Sequence, residues 1–450
     1  MNTPKPSSLE AKLQQYGSAV EMLRHAPVGG YQFPDKPEYS NWRDEQAAWQ
    51  STVVFFDQSF HMKDVYFEGP DVMQLLSDVA VNTMKNFGPN KAKQIVTCNH
   101  EGHVIGDAIL FGHAENKVSV VGRPSVPNWV EYNAIKGGYN VKVTRDERTV
   151  ANQGRRLIYR YQIQGPNALE LIKSVHEGAF PEIPFFNLGD LKIAGRRVRA
   201  LNHSMSRMGG LELHGPAEDG DVVREAILKA GLKFGLVQGG SRSYSTVSPE
   251  SGWIPSPMPA IYHGEQMKPY REWLSADGFE ANASLGGSFS SSRIEDYYQT
   301  PWDLGYGRHV KFDHDFIGRE ALEKLATQPH RRKVWLRWNK EDSLKIFASQ
   351  FGEGERYKYM EMPNAYYAIL PFDKVLVGGK LVGLSTYTVY TVNVRGWLSL
   401  AMLDEDVADG SEVVLIWGEE NGGSPRPVVE RHVQTSVRTT VSYKRLNEDS

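Results

Sequence analysis

Tyr161-Gln162-Ile163-Gln164-Gly165-Pro166-Asn167-Ala168, continued by an apolar-periodic run from Leu169 to Val175, reads as a strand, a Gly-Pro turn and a helix start. Phe67-Glu68-Gly69-Pro70-Asp71-Val72 has the same design earlier in the chain, with Asp71 placed to cap the helix that runs on through Leu76. Two copies of one supersecondary unit point to two related α+β lobes. They are too few for a solenoid.

Working outward, the segment from Ser8 to Leu23 has helical spacing and stops near Pro27-Val28-Gly29-Gly30, a breaker cluster. Val53-Val54-Phe55-Phe56 and Met62 to Phe67 read as two strands. Gln94 to Cys98 and Val104 to Phe111, joined by Asn99-His100-Glu101-Gly102, read as a hairpin, and Lys117 to Val121 as a further strand. The signals are antiparallel, without βαβ crossovers. From Arg332 the text turns to short Val-rich strands punctuated by glycine, including Val375-Leu376-Val377 and Val413 to Trp417, which predicts a small β-barrel or sandwich. The expected class is therefore α+β. Residues 1–330 would form a core of two intertwined, antiparallel-sheet lobes, and residues 331–450 a C-terminal barrel.

The 450 residues are more than one core usually organises, so two or three domains are expected. A net charge of -3 with acids and bases interspersed offers no polyanion-binding face, so nucleic acid is not an expected partner. Cys98 is the single cysteine, which excludes an intrachain disulfide and a three-thiolate zinc site. No apolar run reaches membrane-spanning length, and no h-region follows the first charged residue. A cytoplasmic protein with no membrane association and no obligatory protein partner is expected.

Glu212, in Gly209-Gly210-Leu211-Glu212-Leu213-His214-Gly215-Pro216, sits inside an apolar strand. A carboxylate there needs hydrogen-bond donors. A flat heterocycle with adjacent N–H and amino groups, such as a pterin, would supply two; the wet face of an edge strand or a paired arginine would also satisfy it. Cys98, His100 and His103 cluster on a predicted turn whose side chains diverge, so no metal site is expected. Asp313-His314 lacks the spacing of a corrinoid-binding motif, and neither phosphate-binding glycine fingerprint is present. Tyr31, His61, Asp107, Arg123, Tyr244 and Trp253 are the remaining polar candidates, each embedded in apolar or glycine-rich text.

Val54 to Ser59 with His61-Met62, Gly102-His103-Val104-Ile105-Gly106-Asp107, Gly210-Leu211-Glu212-Leu213 and Leu304-Gly305-Tyr306-Gly307 through Asp315-Phe316-Ile317-Gly318 resemble, in order and spacing, the aminomethyltransferase (glycine-cleavage T-protein) family. Ser40-Asn41-Trp42-Arg43, Val121-Gly122-Arg123, Glu250 to Pro257, Ile294 to Tyr298 and Trp417 to Gly423 resemble its tetrahydrofolate-dependent aryl O-demethylase branch, which acts on vanillate, 3-O-methylgallate or syringate. The resemblance implies a three-lobed cloverleaf with tetrahydrofolate in a central channel and a small aromatic substrate. By the same resemblance, Glu212 and Gln164 would hold the pterin, with Trp253 packed near it. Tyr244 would be the principal catalytic residue, with His61 beside the substrate oxygen and Asp107 at the family's catalytic-aspartate position. Arg123, Tyr31 and Phe33 would contact substrate, the arginine at a carboxylate.

The chemistry implied is transfer of a methyl group from an aromatic ether to N5 of the cofactor. Phenoxide is a poor leaving group, the parent phenol having a pKa near ~10, so a donor at the ether oxygen lowers the barrier. Tyr244 or His61 could be that donor. Pro124-Ser125-Val126, Ser245 to Pro249 and His203 to Met208 depart from the O-demethylase pattern around the expected aromatic pocket. The same machinery would suit a methylenedioxy aromatic, such as a lignan, yielding a catechol and methylenetetrahydrofolate.

Overall fold

The computed structural model describes residues 5–29, 35–152, 155–205 and 208–446. Eleven strands lie between residues 53 and 239: β1 (Val53–Asp57), β2 (Lys63–Glu68), β3 (Ala92–Cys98), β4 (Val104–Ala114), β5 (Lys117–Gly122), β6 (Lys142–Asp146), β7 (Ile158–Gln164), β8 (Leu188–Ile193), β9 (Arg196–Leu201), β10 (Gly210–Pro216) and β11 (Leu236–Gly239). They form two sheets. The first has the order β11-β1-β7-β10-β9-β8, and the second β3-β4-β5-β2-β6. Every pairing is antiparallel except that of β1 with β11, which is parallel and departs from the purely antiparallel expectation.

The Gly-Pro turn is the hinge of each lobe. Gly165 adopts φ +133° and Gly69 φ +157°, and a β-carbon at either would strike a neighbouring backbone, that of Thr52 or Asn140 respectively. Only glycine fits such a close approach. The helices that follow are Ala168–Val175 and Val72–Val79. Asp71 does not cap its helix as expected; its carboxylate accepts instead from the Asn140 amide at 2.7 Å, tying the turn to the strand beyond. The N-terminal helix also divides, into Leu9–Tyr16 and Ala19–Arg24, because Gly17 takes φ +71° and closes the first one with its N–H on the Leu13 carbonyl.

On β7 the pleat sends Tyr159, Tyr161 and Ile163 into an apolar core with Leu171, Ile172, Leu211, Leu213, Val223 and Ile227. Arg160, Gln162 and Gln164 therefore share the opposite face, and all three are buried. That polar face is turned to the second sheet: Arg160 reaches Asp64 on β2 at 2.6 Å, and His214 on β10 meets the Phe111 ring on β4 edge-on at 5.4 Å. The functional groups lie where the two lobes oppose each other.

The short pair β12 (Leu285–Gly286) and β14 (Leu370–Pro371) stitches the core to the C-terminal part. There β13 (Arg332–Trp338), β15 (Asp373–Val377), β16 (Lys380–Thr391), β17 (Gly396–Leu403), β18 (Glu412–Trp417) and β19 (Thr435–Ser442) close into a six-stranded barrel. The barrel encloses its own core of Val334, Leu336, Trp338, Trp397, Leu415 and Trp417. No helix among the described residues is long and apolar enough to cross a membrane.

Candidate active site

The Ser241–Ser251 helix packs on the β1 side of the first sheet through Val54, Phe56, Tyr244 and Val247. This packing holds the Tyr244 ring edge-on to Phe56, at 5.1 Å between centroids, and aims its hydroxyl at the turn between β1 and β2. Two groups of that turn meet it. Gln58 Nε2 donates to Tyr244 Oη at 2.9 Å, and His61 Nε2 lies 3.2 Å from the same oxygen. Burial pushes the Tyr244 phenol up, although the Gln58 hydrogen bond pulls it the other way. Burial, reinforced by the nearby Arg123 charge, pushes the His61 imidazole well below its ordinary value. Both are neutral at physiological pH, which leaves the phenol as a proton carrier rather than an anion.

Arg123 follows directly on β5 and stands close enough for its charge to act on His61, Tyr244, Tyr366 and Tyr387. A positive charge set among neutral polar side chains suits a substrate anion. Tyr31 and Phe33, expected beside it, lie outside the described residues.

Asp107 is on β4, sharing a face with Ile109 and Phe111. One of its oxygens accepts from Gln94 Nε2 at 2.8 Å and from Trp253 Nε1 at 3.1 Å, and Tyr306 also hydrogen-bonds to the carboxylate. Burial pushes this carboxyl up against those three donors. The Trp253 ring is thereby fixed by Asp107, a tie that no local reading of either residue reveals.

Glu212 is buried, and it pairs with Arg160, so the paired-arginine alternative is realised and the wet-face one is not. Arg160 joins Glu212 to Asp64, and Arg156 extends the chain from Asp64 to Asp146. Against the effect of burial, Asp64 and Glu212 raise Arg160 above its ordinary value. Glu212 also acts electrostatically on Tyr244, so the two side chains lie near each other. Gln164 sits one alternation from Gln162, opposite Gly210 and Val54, and its Oε1 accepts from the Met205 amide at 3.2 Å.

A pterin fits this wall. Glu212 and the two glutamine amides project from one buried sheet face, combining acceptors for an amino and ring N–H edge with donors for a carbonyl. Gln162 Oε1 is buried without a hydrogen-bond partner among the described residues, an acceptor in want of a donor. Gln58, Gln162, Arg160, Gln94 and Tyr306 were not singled out from the sequence. Gln58 lies inside the quoted Val54–Ser59 run, and the every-second-residue spacing of Arg160, Gln162 and Gln164 was the legible signal for the other two. Tyr306 lies inside the quoted Leu304–Gly307 stretch, and Gln94, on a strand read only from its alternation, had none. Among the described residues no group of three His, Cys, Asp or Glu converges as a metal site, and Cys98 is buried with its thiol pushed up by that burial.

Residues 16–256 match the family described as the GCVT N-terminal domain. Across 438 residues the chain is 46% identical to syringate O-demethylase of Sphingobium sp. (strain NBRC 103272 / SYK-6), covering 97% of this chain and 95% of that protein. It is 28% identical over 394 residues to sesamin methylene transferase of Sinomonas sp. (strain No.22), covering 83% and 81%. Streptomyces avermitilis aminomethyltransferase is 25% identical over 387 residues, covering 85% and 84%. The crystal structure of glycine cleavage system aminomethyltransferase T from Bartonella henselae superposes with a TM-score of 0.62 at 15% identity, over 94% of this chain and 95% of that one, a likeness of fold.

Proposed function

Given that this chain belongs to the aminomethyltransferase (glycine-cleavage T-protein) family, we propose that it is a tetrahydrofolate-dependent aryl O-demethylase that converts a methoxylated aromatic to the phenol. The observation that carries the reading is the Tyr244 hydroxyl, held at 2.9 Å by Gln58 and 3.2 Å from His61, beside the Arg123 charge. Tetrahydrofolate, when bound, supplies the N5 amine that accepts the one-carbon unit and whose hydrogen closes the proton balance. Glu212, Gln162 and Gln164 would hold the pterin, with Trp253, anchored on Asp107, near it.

As the methyl carbon leaves, the electron pair of the C–O bond falls to the phenolic oxygen, and Tyr244 Oη–H donates to that oxygen. Gln58 Nε2 stabilises the charge then developing on Tyr244. Neutral His61 accepts from, or returns a proton to, the same hydroxyl. General acid assistance of this kind contributes on the order of 10²- to 10⁴-fold, and alignment of methyl carbon with acceptor supplies much of the remainder. Arg123 orients the ring through an anionic substituent. In this proposal residues 1–330 form the catalytic core and residues 331–450 a buttressing barrel, and the single buried cysteine agrees with a reducing cytoplasm.

The test is anaerobic incubation with tetrahydrofolate and a panel of methoxy- and methylenedioxy-aromatics, reading both products by mass spectrometry. Equal amounts of methyltetrahydrofolate and a demethylated phenol are expected. Methylenetetrahydrofolate with a catechol would reassign the chain to methylenedioxy-ring cleavage, a reading to which the relative named sesamin methylene transferase lends support. Absence of any folate-dependent product would sink the proposal.

A further inference from the structure

Two buried carboxylates face each other in the second sheet, Asp64 on β2 being opposite Asp146 on β6. Like charges so placed repel unless a cation joins them, and Arg156, recessed just before β7, does so. Its Nη2 donates to Asp64 Oδ2 at 2.7 Å, and its Nε lies 3.0 Å from Asp146 Oδ1. A lysine would neutralise the pair as well. The guanidinium fork, however, reaches a third acceptor, the Met62 carbonyl, to which Nη1 donates at 2.8 Å.

Met62 is the residue after His61, so Arg156 pins the end of the turn that carries Gln58 and His61. The start of that turn is held by Arg160, whose carbonyl accepts from the Gln58 amide at 2.8 Å and whose amide donates to Ser59 Oγ at 3.0 Å. Between them the Thr149 amide donates to the Phe60 carbonyl at 2.9 Å. The Arg160 side chain in turn holds Glu212 and, at 2.6 Å, the other oxygen of Asp64. An unbroken series of charge-assisted contacts therefore runs from Met62 through Arg156, Asp64 and Arg160 to Glu212. The Arg156 charge also acts on His61, after burial and the Arg123 charge.

Each link joins a planar fork to a carboxylate or carbonyl oxygen, a geometry with little freedom to slide. We propose that Arg156 is a positioning residue for the demethylation, setting His61 and Glu212 in one fixed register by acting through Met62 and Asp64. This rests on the demethylase reading of the Tyr244–His61 site and on Glu212 as a pterin ligand. Placement counts at both ends, because a shift of about 1 Å in a reacting group costs on the order of 10²-fold in rate.

The test uses the full-length parent, Arg156→Gln, Arg156→Lys, and Arg156→Gln combined with Glu212→Gln. By calorimetry Arg156→Gln is expected to weaken tetrahydrofolate about 3- to 30-fold in the parent, but less than about 2-fold where Glu212 is already replaced, since the effect passes through that carboxylate. On a methoxybenzoate kcat is expected to fall about 10- to 100-fold with KM nearly unchanged. Arg156→Lys keeps the charge without the fork and is expected to be as slow as Arg156→Gln. Full activity in Arg156→Lys, equal losses of folate affinity in both backgrounds, or a lowered melting temperature with affinity and kcat intact would each overturn the positioning role. Nitrogen-15 spectra of histidine-labelled protein without ligands separate this proposal from the demethylase reading. Displaced His61 ring signals in Arg156→Lys, where the charge is retained, support the role even if no turnover is found. Unmoved signals refute it whatever the turnover.

Discussion

The proposed role of Tyr244 as proton donor suits its surroundings: burial disfavours its anion, and Gln58 occupies one lone pair so that the hydroxyl hydrogen is free to turn. Tyr244→Phe is expected to lower kcat by about 10²- to 10⁴-fold with tetrahydrofolate affinity nearly unchanged, checked by single-turnover kinetics beside calorimetry. A fully active variant would remove Tyr244 from the chemistry. Glu212 has the opposite role in the proposal, binding without reacting. Glu212→Gln keeps the shape but loses the charge shared with Arg160, and is expected to weaken tetrahydrofolate about 10- to 100-fold while Asp64 still holds Arg160. Unaltered folate affinity would place the pterin elsewhere. Tyr244 and Glu212 were singled out by motif resemblance, whereas Gln58 and Arg160, which touch them, were not. Their importance is a matter of which atoms they face, and that depends on distant segments.

Among the elements, the barrel strand β15 shows how a strand joins two parts of the fold. Its first residue, Asp373, accepts from the Ser288 amide at 2.9 Å, while the Lys374 amide donates to Ser288 Oγ at 2.9 Å. Burial, against the pull of Lys358, pushes Asp373 from 3.8 up to about 6. The folded state therefore holds a proton that the unfolded state has released between those pH values, so this group's contribution falls as pH rises through that window and is fully unfavourable above it. Asp373→Asn is expected to raise the melting temperature at pH 8, by at most about 3 kcal/mol of stability, and to make no difference near pH 4. A gain equal at both pH values would refute the linkage. The strands themselves were legible from alternation, as was the Gly-Pro turn. The Ser8–Leu23 helix was not resolved into two because a single Gly17 in a helical pattern does not announce its positive φ.

For the whole molecule, Glu250 binds core to barrel. Its carboxylate accepts from Trp49 Nε1 at 3.1 Å and Gln50 Nε2 at 3.2 Å in the core, and from Thr391 Oγ1 at 2.7 Å and Asn393 Nδ2 at 3.1 Å in the barrel. Two turns away on the same helix is Tyr244. Glu250→Ala strands several buried donors at about 1–3 kcal/mol each, so it is expected to lower the melting temperature sharply and to reduce kcat by displacing the helix. Glu250→Gln, still able to accept, is expected to lose less. Equal melting temperatures for parent and Glu250→Ala would show the junction to be dispensable.

The sequence by itself determined the two α+β lobes, the C-terminal barrel and the family, because hydrophobic period, turn glycines and short motifs are properties of neighbouring residues. Tertiary structure alone decided that Glu212 meets Arg160, that Trp253 is fixed by Asp107, and that Gln58 and His61 meet at the Tyr244 hydroxyl. Each of these contacts joins segments from different strands or loops, and the register of sheet pairing, not the order of residues along the chain, sets which side chains share a face.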